Sequence, residues 1–251
     1  MLYGMVVTSI AATESKHQMH IEILTEDKSG ASIVRRLVRQ ICDAAGSDVD
    51  IAVRPHKGCG ALPHDWNEKP PRYAGALLDL LPAKCRAYNK VYGNTDACLV
   101  VIMDSDNNDP AALREKLYAV AHKYAPDLRS VVGLCTEEVE AWLLGDHQAI
   151  LKAYPNANMD GLDDYVQDSV CGTWEQLCKI VCPDNYEDVL EIGYPAIGQY
   201  KAKWAENISL HMDAERNISP SFILFKKALE LAVKKPGPIK GVFPTHHTRS
   251  F

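Results

Sequence analysis

No stretch of this sequence is apolar over the length needed to span a bilayer, which argues against a helical membrane protein. The one apolar run near the start, Leu2–Ala12, is short and lacks the basic residues that open a secretory signal. It is expected to be an extra strand or a packed arm within 1–18. Excess positive charge is absent too. Lys and Arg number 27 against 33 Asp and Glu, a net charge of −6, so the chain is not a basic nucleic-acid coat. A local patch or bound cations can still hold phosphates. The 8 cysteines lack a familiar spacing: Cys171, Cys178 and Cys182 read C-x6-C-x3-C, which matches no common zinc pattern. Cys98 and Cys135 lie in apolar runs, where cysteine acts as a small hydrophobe. Free thiols in a reducing cytosol, hence a cytoplasmic protein, are the expectation. Repeats and low-complexity linkers are missing as well. A composition 47% hydrophobic and 24% charged is that of a globular chain, and 251 residues suffice for one large domain or a core domain with an appendage.

What is present is an alternation. Met19–Thr25 (MHIEILT) reads as a strand. Ala31–Cys42 places Ile33, Val34, Leu37, Val38 and Ile41 at helical spacing. Asp50–Val53 is a short strand, Arg54–Arg72 a long loop rich in Gly and Pro, and Tyr73–Tyr88 a helix broken or restarted at Pro82. Ala97–Met103 (ACLVVIM) is a continuous apolar run, as expected of a central parallel strand. Asp109-Pro110 opens a helix reaching about Tyr124. Ser130–Cys135 is a fourth strand, and Thr136 caps a helix that follows. This β-α-β-α-β-α-β-α order predicts an α/β fold, a parallel sheet flanked by helices over 19–146. A mostly helical C-terminal part follows over 147–233, with helices at His147–Tyr154, Gly161–Gln167, Trp174–Val181, Lys201–His211 and Ser219–Val233. The segment 234–251 is an irregular basic tail. From Lys226 onward, six cationic residues face only Glu230, a balance of 6 − 1 = +5.

The chemistry-bearing residues sit at strand ends, where sites of parallel α/β sheets form. Asp104 and Asp106 follow a buried strand, and two carboxylates that leave a core together can turn toward one hard cation. Glu26, at the end of the first strand, falls on the same edge if the two strands are neighbours, whereas Asp27 is the expected cap of the next helix. Glu137, Glu138 and Glu140 open the helix after the fourth strand, with Glu137 and Glu140 sharing a face. Arg35 and Arg39 also share a helix face that could touch a phosphate backbone, although a solvated face is the commoner role for such residues. His56, Lys57, Gly58 and Gly60 could approach a phosphate, and His56 with His64 is a weaker metal pair.

A first-strand glutamate followed by D-x-D after the third strand resembles the Toprim domain of topoisomerases, primases and overcoming-lysogenization-defect nucleases. Glu138–Asp146 (E-V-E-A-W-L-L-G-D), and Ile218–Phe222 with Phe225, resemble a bacterial Toprim-like family of unknown function. Members of that family often neighbour ATPases in phage-defence or mobile loci. The resemblance spans about Met19 to Leu229. It implies Mg²⁺ or Mn²⁺ held by Glu26, Asp104 and Asp106, with Glu26 alternatively a general base. Glu138 or Glu140 would be a further acid. Phosphodiester hydrolysis also calls for a cation to neutralise the transition state, for which Lys203, Lys28, Lys201 and Arg216 are candidates. Where Toprim nucleases carry a glycine after the first glutamate and a second acid four positions on, this chain has Asp27 and Gly30. Nothing resembles the tyrosine-bearing domain of a topoisomerase or the zinc domain of a primase. The resemblance therefore implies a nuclease acting on nucleic acid, with an ATPase partner or an oligomeric state left open. The alternatives are another D-x-D magnesium enzyme, a glycosyltransferase or phosphatase, and a non-catalytic Toprim-like binding subunit. A phosphatase of the haloacid-dehalogenase type places its D-x-D after the first strand, unlike this chain.

Overall fold

The computed structural model describes residues 18–234. Strands β1 (Met19–Thr25), β2 (Val49–Pro55), β3 (Ala97–Asp104) and β4 (Arg129–Cys135) alternate with helices α1 (Lys28–Ala44), α2 (Leu77–Tyr92) and α3 (Pro110–Tyr124). Seven more helices follow: α4 (Glu140–Leu144), α5 (His147–Ala153), α6 (Met159–Asp163), α7 (Thr173–Val181), α8 (Tyr186–Glu191), α9 (Ala196–Ser209) and α10 (Pro220–Lys234). The strands form one parallel sheet in the order β2-β1-β3-β4. The expected α/β class and the helical C-terminal part are thus both present. The expected N-terminal arm and most of the basic tail lie outside the described residues.

β3 explains its own position. Successive side chains point to opposite faces of a strand, and every residue from Ala97 to Met103 is buried. Cys98, Val100 and Ile102 join the cluster under α1, α9 and α10, whereas Leu99, Val101 and Met103 join the cluster under α2 and α3. A strand covered on both faces must be apolar throughout. Asp104 continues the even-numbered series and so emerges on the α9 side. The first cluster also contains Ile23, Ile33, Trp142, Trp204 and Phe225. The later helices therefore share the sheet's core and do not form a body of their own. Phe225 of α10 lies over β4, where a Cβ on Gly133 would come within 2.8 Å of its ring; only a glycine admits that contact.

Several boundaries differ from the sequence reading. α2 begins at Leu77, because residues 73–76 belong to the preceding loop. Pro82 lies inside α2 without ending it: its ring removes one backbone bond in the second turn while its side chain stays buried. Arg35 and Arg39 remain exposed, but each is tied to the sheet by one guanidinium nitrogen. They donate to the carbonyls of Ile51 and Val49 at 2.9 Å each and so occupy the edge strand β2. Lys226 pairs with Glu215 at 2.6 Å, which neutralises part of the charge read into the tail.

Candidate metal centre

β1 and β3 are hydrogen-bonded neighbours, so Glu26 and Asp104 leave the sheet side by side at its carboxyl edge. The Asp104 N–H donates to Glu26 Oε2 at 3.4 Å. Both acids line a small cleft of about 20 Å³ together with Thr25, Gly30, Ile102 and Val139. That volume suits about one water or small ion, not a substrate group. The residues that follow β2 fold back onto the same edge. Gly58 N–H donates to the Glu26 carbonyl at 3.0 Å, and the Cys59 backbone N–H bonds the Glu26 carboxylate. Asp27 caps α1 as expected, accepting from Gly30 N–H at 2.8 Å.

Beyond β3 and β4 the two chains stay paired through their loops. Ser105 N–H donates to Cys135 O at 2.9 Å, Asp106 N–H to Glu137 O at 3.1 Å, and Glu137 N–H to Ser105 Oγ at 3.0 Å. Asp106 (φ 45°) and Glu137 (φ 59°) are both left-handed. An aspartate adopts that conformation readily and a glutamate less so. The expected helix from Thr136 does not form; α4 starts only at Glu140 because of this turn. Glu137 consequently does not share a face with Glu140. Its carboxylate accepts from the backbone N–H groups of Cys171, Gly172 and Thr173 and from the Thr173 hydroxyl, which anchors the start of α7. Although burial opposes it, these donors hold the Glu137 carboxyl below its ordinary range.

Glu138 and Glu140 turn the other way, toward Asp104. Lys201 of α9 bridges them, with Nζ 2.9 Å from Glu138 Oε1 and 3.4 Å from Glu140 Oε1. One further oxygen of each glutamate is buried without a hydrogen-bond partner. Burial, followed by the charges of Glu140, Glu26 and Glu138, pushes the Asp104 carboxyl well above its usual range, and Lys201 opposes this only in part. Burial and then Asp106 raise Glu26. Glu140, only 2% exposed, is raised to about 7, chiefly by burial. The Lys201 ammonium is held above its ordinary value by Glu140 and Glu138 in spite of burial. The thiol of Cys135 is driven far up by burial and the adjacent carboxylates, so it stays protonated beside the cleft.

The structure brings Glu26, Asp104, Glu138 and Glu140 into one electrostatic neighbourhood, with Asp106 exposed at its rim. Lys203 is not in it. That side chain is exposed and acts on Cys182, because two residues along a helix lie roughly 200° apart. Lys201 takes the place expected of Lys203. Arg216 is likewise committed elsewhere, donating from Nε and Nη2 to the fully buried Asp146 at 2.8 Å each. His56 is buried and His64 exposed, and neither joins the acids. The charged groups at the cleft are carboxylates, which suit a hard divalent ion, while the Cys135 thiol that also lines it stays protonated. Among the described residues, however, no three His, Cys, Asp or Glu side chains stand close enough together to form a ready-made cage. Comparison with protein-family models, with curated proteins and with solved structures gave no match.

Proposed function

We propose that this chain is a Toprim-like, metal-dependent phosphodiesterase, a nuclease whose ion is Mg²⁺ or Mn²⁺ held by Glu26, Asp104 and Asp106. The observation that carries this reading is Asp104 itself: a carboxylate at the end of a buried strand, surrounded by Glu26, Glu138 and Glu140, with Lys201 as the compensating cation. So much negative charge at one sheet edge is destabilising unless protons or a cation neutralise it. When bound, the ion would polarise the phosphoryl group and lower the pKa of a bound water. The chain's own residues do the rest. Glu26, held by the Cys59 and Asp104 backbone N–H groups, would alternatively serve as general base in place of its role as ligand. Glu138 and Glu140 fix Lys201, and Lys201 limits their repulsion of Asp104. Ile102 and Val139 form the apolar wall of the cleft. A cytoplasmic location, a nucleic-acid substrate, an ATPase partner and a role in phage defence belong to the same proposal.

The experiment is Mn²⁺ binding by calorimetry, together with cleavage of single- and double-stranded DNA and RNA, for wild type and Asp104→Asn. Saturable Mn²⁺ binding that is lost in the variant, with EDTA-sensitive cleavage, is the expected result. Equal binding in both proteins, or cleavage that survives EDTA, refutes the reading.

A second reading, a non-catalytic binding subunit, is favoured by the exposure of Asp106 and by Gly30 where a second acid would stand. It predicts nucleic-acid binding without turnover, even with Mn²⁺ bound.

A further inference from the structure

A second polar cluster lies on the α2 side of β1. Glu22, 2% exposed, accepts from Arg54 Nε at 2.7 Å and lies 3.0 Å from His20 Nε2. Arg54 is thus tied to Glu22 through Nε and also bonds Tyr88, while its side chain remains 54% exposed. Lys84 of α2 lies 5.9 Å from the centre of the Tyr88 ring and acts electrostatically on both Glu22 and Arg54. Unlike Arg54, it forms no ion pair among the described residues. His56, 9% exposed, meets the Thr25 carbonyl through Nδ1 at 2.8 Å, and its Nε2 is buried without a partner beside Lys84.

Two cations and an imidazole nitrogen without a partner therefore meet around Glu22, a single carboxylate shared between Arg54 and Lys84, so positive charge is left over. A guanidinium with free N–H groups and a lysine point charge are phosphate-binding groups. The imidazole nitrogen becomes a third donor once an oxyanion favours its protonation. The place matters as much as the groups. His56 N–H also donates to Thr25 O at 3.0 Å, and two residues on, Gly58 N–H bonds the Glu26 carbonyl. The cluster and the acid cleft thus adjoin along one carboxyl edge.

We infer that Arg54, Lys84 and His56 form a phosphate subsite that holds a phosphodiester of the substrate strand flanking the one presented to the acid cleft. The choice of nucleic acid as ligand rests on the phosphodiesterase reading; the subsite itself needs no metal.

The test is fluorescence anisotropy of a labelled single-stranded oligonucleotide on the full chain, in EDTA, over a salt series. Each lost phosphate contact on a single strand should reduce the slope of log affinity against log salt by about 0.7. Lys84→Gln is expected to bind several-fold more weakly with that smaller slope and an unchanged melting temperature, since Lys84 has no ion pair to lose. Lys84→Arg should restore the slope, and inorganic phosphate should compete with the strand for wild type. An unchanged slope in Lys84→Gln, or no binding by wild type in EDTA, overturns the subsite. Mn²⁺ binding should be the same in Lys84→Gln and wild type. Failure of the acid cleft would appear as absent Mn²⁺ binding with the salt slope intact, and failure of the subsite as the reverse.

Discussion

Replacing Glu140 by Gln should stabilise the metal-free protein, and only at neutral to alkaline pH. The side chain is 2% exposed, one oxygen lies 3.4 Å from Lys201, and the other has no partner. Its carboxyl titrates at about 7 against an ordinary 4.5, a balance that already includes the attraction of Lys201. At about 1.4 kcal/mol per pH unit, ionising it in the native state costs about 3 kcal/mol. A carboxyl whose folded pKa is raised contributes its full stability below the unfolded value, and that stability is lost as the pH climbs through the folded value. Wild type should therefore weaken between about pH 4.5 and pH 7, and the amide, which keeps the shape without the charge, should not follow. Thermal melts in EDTA at pH 4.5 and pH 8 measure the difference. The variant should match wild type at the acid end and melt roughly 6–12 °C higher at the alkaline end, using about 2–4 °C per kcal/mol for a chain of this size. Lys201 keeps its 2.9 Å partner Glu138, so the substitution strands no buried cation. An equal shift at both pH values, or destabilisation at pH 8, would refute the argument.

Two further outcomes concern the framework around the site. Arg216→Ala removes two charge-assisted bonds from Asp146, which is fully buried and retains the backbone donors of Ala149 and Asp213; a loss of about 3 kcal/mol is expected in urea unfolding. Gly133→Ala drives a methyl into the Phe225 ring and should cost about 1–3 kcal/mol, and Phe225→Leu in the same chain should recover part of that loss by making room.

The alternation of strands and helices was legible because each element carries its own period, and β3 most of all, since a strand buried on both faces has no polar position to confuse it. The placing of Glu26 and Asp104 on one edge needed only that β1 and β3 be parallel neighbours, which they are. Glu137 was misjudged because its role depends on α7, which begins 36 residues later in the chain and offers it three N–H groups. Lys201 and Lys203 are indistinguishable by residue type; the face that α9 turns toward the acids separates them, and that face is set by Trp204, Ala205 and Ile208 packing into the core. The missed helix α8 is a single short turn and a half with one fully buried residue, Val189, too little apolar pattern to register.

The cation that tempers the acids comes from far along the chain, since Lys201 stands 63 residues beyond Glu138. The cover of β4 arrives later still: Arg129 donates to the Ala232 carbonyl across 103 residues. Such pairings raise contact order and slow folding, because long loops must close before the contacts that reward closure can form. During synthesis the carboxylates of β1, β3 and α4 are all made before their counter-charge exists. A nascent chain stopped before α9 would present the acids with no lysine between them and β4 without the cover of α10. The order of synthesis thus sets the order of charge compensation: the acid cluster gains its counter-charge only once α9 has been made.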